Sequence, residues 1–544
     1  MIRLSIGVCV GLVWLAGPLF AQAPAGEQPA GPVIQTIRID GATIFTPEEL
    51  ANRYGLAEGT RLTRTTDEIA RGIRDRYHED GYTFATVEAS LDLASGTLTI
   101  SIDEGRFDLV SVAGVDEDTR KRILEELALA PGEVFNASQA ERALNEALAF
   151  AQGAIARSEP TFTLLTDAGN RVLRVALRTR DYRGGVFLGT NGREDWYSPV
   201  DELNVGFGLH GTLFDKSEFN HTYWNAYVTR KTGPDRFGYS VGIERPFFRD
   251  ALLQVGAAIH DLTATDDKWR LGDLEQSLAA LMFRNTFRDY YRRKGYQLHA
   301  ALRPFGAHEV LVAWRDDSHL ALHNATDYGF FRDDHPFRGN GAAQPGDLRS
   351  LVVAYTFDSR GLDNRPSERY RRHLLDTLFA DWAERETGMR FEWRSELAPA
   401  AFSHDFDFSR HVGTARAWWE ATPRRTVSGR LMAGLSRGSL PGQRVFALGG
   451  IGTVRGYGFK EAAGDGMVLL NGELRQRFGR SPFAGLVFID TGRVFEPRPG
   501  SSDNWMTGVG LGLEIGGGSR IEFGWRLADI PGSLQVLFRL RPTF

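Results

Sequence analysis

The chain has 544 residues, 42% hydrophobic and 24% charged, with a net charge of −5. That length exceeds one ordinary domain, and that charge excludes a strong electrostatic pull toward nucleic acid. Its 61 glycines and 11% aromatics suit a turn-rich β fold with an interfacial aromatic belt, and its one cysteine excludes a disulfide framework.

Residues 1–25 read as a secretory signal peptide. Arg3 supplies the positive start, Leu4 to Phe20 is apolar, and Ala21-Gln22-Ala23 and Ala23-Pro24-Ala25 offer small residues for cleavage. Cys9 falls inside this segment, so the mature chain is expected to carry no thiol. No other stretch approaches the ~18 apolar residues a membrane helix needs. An exported chain without a spanning helix is either soluble outside the cytoplasm or a β-barrel in an outer membrane.

A first α+β module is expected over residues 33–105. Val33 to Ile39 alternates as a strand, and Thr46-Pro47-Glu48-Glu49 opens a helix with Thr46 as its N-cap. A second helix spans Thr66 to Asp80, ends at Gly81, and places Ile69, Ile73 and Tyr77 on one buried face. Two strands follow, Thr83 to Leu93 and Thr97 to Asp103, turned at Ser95-Gly96. The β-α-α-β-β order repeats over residues 106–180. Phe107 to Val115 reads as a strand and Thr119 to Leu129 as a helix. Asn136-Ala-Ser138 caps a helix running to about Gln152, and Thr161 to Leu165 with Arg171 to Leu177 forms a hairpin turned at Asp167 to Asn170.

From about Arg183 to Phe544 the helix signal fades and period two takes over. Val205, Phe207 and Leu209 alternate, as do Leu351, Val353, Tyr355 and Phe357. Val509, Leu511, Leu513 and Ile515 alternate with Gly508, Gly510, Gly512 and Glu514. Ile521, Phe523, Trp525 and Leu527 follow suit, then Leu534, Val536, Phe538 and Leu540 against Gln535, Arg539 and Arg541. One face can meet lipid while the other meets a polar lumen, and closure satisfies every backbone group. A soluble sandwich also alternates, but rarely over ~360 residues. The fold class is therefore α+β repeats followed by an all-β transmembrane barrel over residues 183–544. Alternation alone is met by about fourteen to eighteen antiparallel strands.

Residues Leu448 to Phe459 form a glycine-rich segment that contains Val454-Arg455-Gly456-Tyr457. Phe488, Asp490 and Gly492 form a Phe-x-Asp-x-Gly pattern, and the chain stops on Phe544. Together these resemble the C-terminal barrel of the BamA/TamA/TpsB superfamily of outer-membrane assembly and secretion proteins. The two modules, with turns at Ile39-Asp40-Gly41, Glu58-Gly59 and Pro131-Gly132, resemble POTRA domains. The resemblance implies about sixteen strands in the outer membrane of a Gram-negative-type bacterium, with the POTRA domains in the periplasm. It also implies that the glycine-rich loop folds back into the barrel. There Arg455, beside Gly456 and Tyr457, would contact Asp490 and Phe488 of the strand that Gly492 completes, with Glu473 as a second carboxylate. A guanidinium suits that place because its planar fork pairs with carboxylate oxygens and stacks on a ring. Phe538, Leu540 and Phe544 would form a terminal insertion signal. Thr83, Phe84, Thr86 and Val87 would offer a free strand edge to unfolded clients.

No residue is expected to do catalytic, cofactor or metal chemistry, so the protein reads as no enzyme. Gly434-Leu-Ser436-Arg-Gly438 matches a nucleophile-elbow pattern but follows a strand-like run with no helix after it. The 12 histidines lack metal spacing, and Asp316-Asp317 and Asp333-Asp334 read as solvated loop or lumen-wall carboxylates. The function expected is an assembly and insertion factor of BamA/TamA type. The first alternative is a TpsB-like pore exporting a dedicated protein, and the second a passive pore or structural surface antigen. BamA-like factors typically carry more repeats than two. TpsB-like pores carry two, with a plug helix for which the short linker before Val33 leaves no room. The expected partners are unfolded outer-membrane or secreted proteins, the lipid bilayer and periplasmic accessory proteins, with no nucleic acid.

Overall fold

Two threonines set where the first helices begin. Thr46 and Thr65 each close a capping box, with Glu49 and Glu68, so that side chains satisfy the free N–H groups of the first turn. The helices that follow are α1 (Pro47–Tyr54) and α2 (Thr66–Glu79). They lie in a module with β1 (Thr36–Asp40), β2 (Thr86–Asp92) and β3 (Thr97–Asp103), joined in the order β1-β3-β2. β3 is parallel to β1 and antiparallel to β2, and Ile69, Ile73 and Tyr77 of α2 are buried with Leu98 and Ile100 of β3. The computed structural model describes residues 31–151, 153–214, 221–248, 251–331, 334–341, 343–362, 387–402, 405–479, 481–516 and 518–540. Phe544 and the segment read as a signal peptide lie outside them.

The second module repeats the order with β4 (Leu109–Ala113), α3 (Glu117–Glu126), α4 (Ala137–Ala147), β5 (Ile155–Asp167) and β6 (Asn170–Thr179). Its sheet runs β4-β6-β5, with β4 parallel to β6. The modules are docked on each other. Phe84 packs on Phe135 with ring centroids 4.5 Å apart, and Asn136 Nδ2 donates to Asp80 O at 3.0 Å. Glu104 accepts from the N–H groups of Thr43 and Ile44, at 2.6 and 2.8 Å, from Tyr77 OH at 2.9 Å, and from the Thr43 hydroxyl.

Three expectations for this region need correction. The first strand begins at Thr36, and Val33 forms only an isolated bridge to Arg61. β2 begins at Thr86, because residues 81–85 form turns in which Thr83 N–H donates to Gly81 O and Ala85 N–H to Tyr82 O. Thr83 and Phe84 therefore do not belong to the strand edge. The last hairpin is longer than its apolar runs suggested, since polar residues at both ends of β5 and β6 continue the strands.

The chain divides into two compact units; the first ends at Ala147 and resumes over Arg157–Leu177, and the second holds Leu148–Ala156 and everything from Arg178 on. The second unit is a closed antiparallel barrel. Among the described residues it has sixteen strands of six residues or more, plus the stubs Tyr197–Ser198 and Phe446–Leu448. The first strand, Tyr182–Leu188, and the last, Gln535–Leu540, are neighbours in the closed order and the two shortest apart from the stubs. Alternation is strict. Val205, Phe207, Leu209, Leu511, Leu513, Ile515, Val536 and Phe538 are exposed, while Glu514, Glu522 and Arg539 are buried within. Apolar side chains that would be a liability in water face lipid here.

The barrel region also holds a helix, α5 (Asp273–Phe283), where a strand region was expected. It lies in the long connection after the strand Leu253–Ala264. Its polar residues Glu275, Gln276 and Ser277 are buried, whereas Leu274 and Phe283 are exposed. That inverted amphipathicity fits a helix seated against a polar interior.

Candidate functional site

The glycine-rich loop fills the space between the strands Arg425–Ser439 and Ala462–Arg477 and turns back into the barrel. Arg455 lies at its tip, 3% exposed. Alternation along the strand Phe483–Pro497 points Leu486, Phe488 and Asp490 inward and Val487 and Ile489 outward. Arg455 Nε donates to Asp490 Oδ2 at 2.7 Å and Nη2 to Asp490 Oδ1 at 2.9 Å, while the Arg455 backbone N–H donates to Oδ2 at 3.1 Å. The guanidinium carbon sits 3.4 Å from the centroid of the Phe488 ring. Fork pairing and stacking are thus made at once, in a site from which water is largely excluded.

Three further carboxylates and three further arginines surround this contact. The second partner of Arg455 is Glu522, with Nη1 3.3 Å from Oε2. Glu473 lies farther off, at 3.9 Å, and is held more closely by Arg520 at 2.9 Å. Arg520 also reaches Glu514, which pairs with Arg475 at 2.7 Å. Glu522 lies 3.9 Å from Arg539 in the last strand. Each buried charge has an opposite neighbour, the condition under which ions persist out of water.

A second layer fixes the loop backbone. Asn471 Nδ2 donates to Asp490 Oδ1 and to Thr453 O, both at 2.7 Å. Arg430 donates to Asn471 Oδ1 and, at 2.6 Å, to Gly452 O. Gly456 N–H donates to Gln535 Oε1 at 3.1 Å, and Gln535 Nε2 returns a bond to Tyr457 O at 3.2 Å. Thr507 N–H donates to the Tyr457 hydroxyl at 3.1 Å, and Arg526 lies over the Tyr457 ring at 4.6 Å. Gly456 has φ +92°, and a Cβ there would fall 2.5 Å from Trp525 C. Gly508 leaves room for the loop as well, since a Cβ would fall 2.0 Å from Arg455 O.

The structure thus brings Arg455, Gly456, Tyr457, Phe488 and Asp490 together with Glu473 at the rim. Gly492 lies two residues beyond Asp490 on the same strand and faces Leu469 across the ladder. Sequence reasoning did not reach Glu522, Asn471, Arg430 or Gln535. Their only signal was a polar residue at an inward position of an alternating strand. Of the other candidates, Thr86 and Val87 lie on β2, the edge of the first sheet. Phe538 is exposed on the last strand and Leu540 ends it. Ser436 lies within the strand Arg425–Ser439 and donates to Asp465 O at 2.5 Å, far from the strand-to-helix turn a nucleophile needs. Among the described residues no three His, Cys, Asp or Glu side chains are grouped to hold a metal ion.

The barrel region matches the model of the Omp85 superfamily domain over residues 190–533. The chain belongs to the Omp85 superfamily. Residues 32–105 match the POTRA model, described as a surface antigen variable number repeat. Among solved structures, the chain is similar to BamA from Haemophilus ducreyi lacking POTRA domains 1–3, at 12% identity, covering 94% of this chain and 98% of that one with a TM-score of 0.43. It is also similar to CdiB from Escherichia coli, at 16% identity, 96% and 92% coverage and a TM-score of 0.35. The N-terminal domain of Omp85 from Thermosynechococcus elongatus matches at 19% identity, over 27% of this chain and 68% of that one, with a TM-score of 0.22. No curated protein matches the chain. As an Omp85 member the protein is an outer-membrane β-barrel with periplasmic POTRA domains. No helix among the described residues is long and apolar enough to cross a membrane, and the crossing is made by strands.

Proposed function

We propose that this protein inserts and assembles other outer-membrane proteins, as BamA- and TamA-type factors do. Unfolded clients add as strands to a POTRA sheet edge, with β2 the leading candidate, and pass to the barrel. The wall then opens between first and last strands and templates insertion. Strand addition binds through backbone hydrogen bonds, so it tolerates many client sequences.

The observation that carries this reading is where the barrel is strong and where it is thin. Its outward mouth is crossed by connections tied with buried ion pairs, among them Arg288 to Asp195 and Lys231 to Glu194. Its wall, by contrast, closes between its two shortest full strands. A route down the lumen must break these buried pairs, and each charge left alone is costly. The same connections weigh against a passive pore. An exporter of TpsB type is favoured instead by the presence of two repeats.

The test is depletion of the protein in its own bacterium, followed by proteomics of the outer membrane and the medium. Loss of several barrel proteins is the expected result. Loss of one secreted protein alone would replace this reading with the exporter. Reduced small-solute uptake with neither loss would replace it with the passive pore.

A further inference from the structure

Helix α5 touches both sides of the thin wall. On one side, Glu275 Oε1 accepts from Arg539 Nε, on the inward face of the last strand, at 2.7 Å. Arg539 Nη2 also donates to Arg270 O at 3.4 Å, just before the helix. On the other side, Ser277 Oγ accepts from Tyr197 N–H at 3.3 Å, in the connection that leaves the first strand. The same connection is gripped again by the segment after the helix: Arg288 pairs with Asp195, and Tyr290 OH donates to Asp195 Oδ2 at 2.6 Å. Glu275 and Ser277 lie two residues apart on one helical turn. Glu275 therefore holds the last strand, and Ser277 holds the stub Tyr197–Ser198, which pairs with the strand Glu202–Phe214 that flanks the first strand. The helix thus ties together the two sides that must separate for the wall to open.

The helix is itself fixed to its surroundings. Gln276 Nε2 donates to Thr286 Oγ1 at 3.1 Å, and Gln276 Oε1 accepts from Phe287 N–H at 3.0 Å. Arg288 Nη1 lies 2.6 Å from Asp273 at the helix start. Glu275, Gln276 and Ser277 are all nearly inaccessible. An ordinary loop helix would bury its leucines and expose these three. Here the polar face is spent on contacts to the seam and to its own loop.

We propose that α5 is a bolt across the seam, and that the first and last strands part only when the Glu275 to Arg539 pair is released. This rests on the reading that the barrel opens laterally there. The bolt is placed on the outward side, in a connection distinct from the loop that carries Arg455. Opening would thus be governed by two separate loops, with Glu522 lying between Arg455 and Arg539 as their common neighbour.

The test uses the full mature chain in lipid nanodiscs, where the absence of native thiols allows site-directed spin labelling. Labels are placed at Leu188→Cys and Val536→Cys, both exposed at the outward ends of the first and last strands. Pulsed electron spectroscopy reads the distance between them in the parent chain, in Glu275→Gln, and in Leu274→Ala as a control on the exposed side of the same helix. Glu275→Gln should add a component longer by roughly 5 Å or more, the width of one inserted strand. Leu274→Ala should match the parent. An unchanged distribution in Glu275→Gln, with heat-modifiable migration retained, overturns the bolt. So does an equal shift in Leu274→Ala. Should Glu275→Gln not fold, Glu275→Asp, which shortens the carboxylate, is read by the same criterion. Insertion of an unfolded barrel client into vesicles is measured on the same samples. A shift without any insertion would leave the bolt standing and sink the assembly reading; insertion by the parent without a shift would do the reverse.

Discussion

At the scale of single residues, the loop depends on one guanidinium doing what no other side chain can. Arg455 forks onto Asp490, reaches Glu522 and stacks on Phe488 in one rotamer. Arg455→Ala leaves two buried carboxylates short of a cation, a change worth about 3–5 kcal/mol. We expect the barrel to lose heat-modifiable migration at a lower temperature, with the POTRA unit's melting unchanged. Arg455→Lys should recover only part of this, because an ammonium cannot pair with both oxygens while stacking. A cysteine pair at positions 455 and 490 that never crosslinks in membranes would remove the contact from consideration. Gly456→Ala should resemble Arg455→Ala, through the left-handed backbone and the clash with Trp525. The Arg455, Phe488 and Asp490 triad was legible through family resemblance. Glu522, Asn471 and Gln535 were not, because an inward polar residue on a barrel strand looks the same whether it meets solvent or a loop.

At the scale of elements, the POTRA modules carry a pH dependence of their own. Burial pushes the Glu104 carboxyl up, but hydrogen bonds from the Thr43 hydroxyl, the Ile44 and Thr43 N–H groups and Tyr77 more than offset it, holding it below the usual carboxylate range. A carboxylate lowered in the folded state stabilises fully above its unfolded pKa and loses that effect as pH falls through the folded value. Amide protection factors over β1, α2 and β3, taken against the intrinsic rate at each pH, should therefore fall as pH drops from about 5 toward 3. Glu104→Gln should flatten that profile and lower protection at neutral pH. The edge strand β2 offers a second test. Val87→Pro removes a ladder donor and should weaken capture of an unfolded barrel peptide while leaving barrel migration unchanged. Equal capture would assign client binding to another element. The helices here were legible from Thr46 and the spacing of Ile69, Ile73 and Tyr77, while the Thr65 cap emerged only in the structure. The start of β2 was not, since strand-forming residues at 83 and 84 are drawn into a turn and into the contact between modules. α5 was missed for a different reason. Its leucines at 274, 278 and 281 have helical spacing, but a helix flanked by long alternating strands reads as one more strand.

At the scale of the whole molecule, the division into repeats and barrel followed from a change of period at about Arg183, close to the observed first strand at Tyr182. Strand number was bracketed by length, since each crossing uses a similar stretch of chain. Connectivity of the outer loops could not be read, because it depends on pairs such as Arg539 with Glu275, 264 residues apart. Deleting residues 534–544 should abolish membrane-inserted, heat-modifiable protein, since it removes a whole strand and leaves an unpaired edge in lipid. Normal assembly of that truncation would count against the barrel's closing as described.

The pairing of Gly456 and Tyr457 with Gln535 has a consequence for the order of events during biogenesis. Synthesis runs from the N-terminus, so the loop is made some 80 residues before the amide that receives it. Until the last strand arrives, the Tyr457 carbonyl lacks its Gln535 donor and Glu522 lacks Arg539 beside it. In a barrel without its last strand the loop therefore keeps its ties to Asp490, Phe488 and Asn471 but lacks those at Gly456 and Tyr457. Order at Gly456 and Tyr457 thus reports that the final strand is in place, so one short segment of loop carries a record of whether the barrel has been completed.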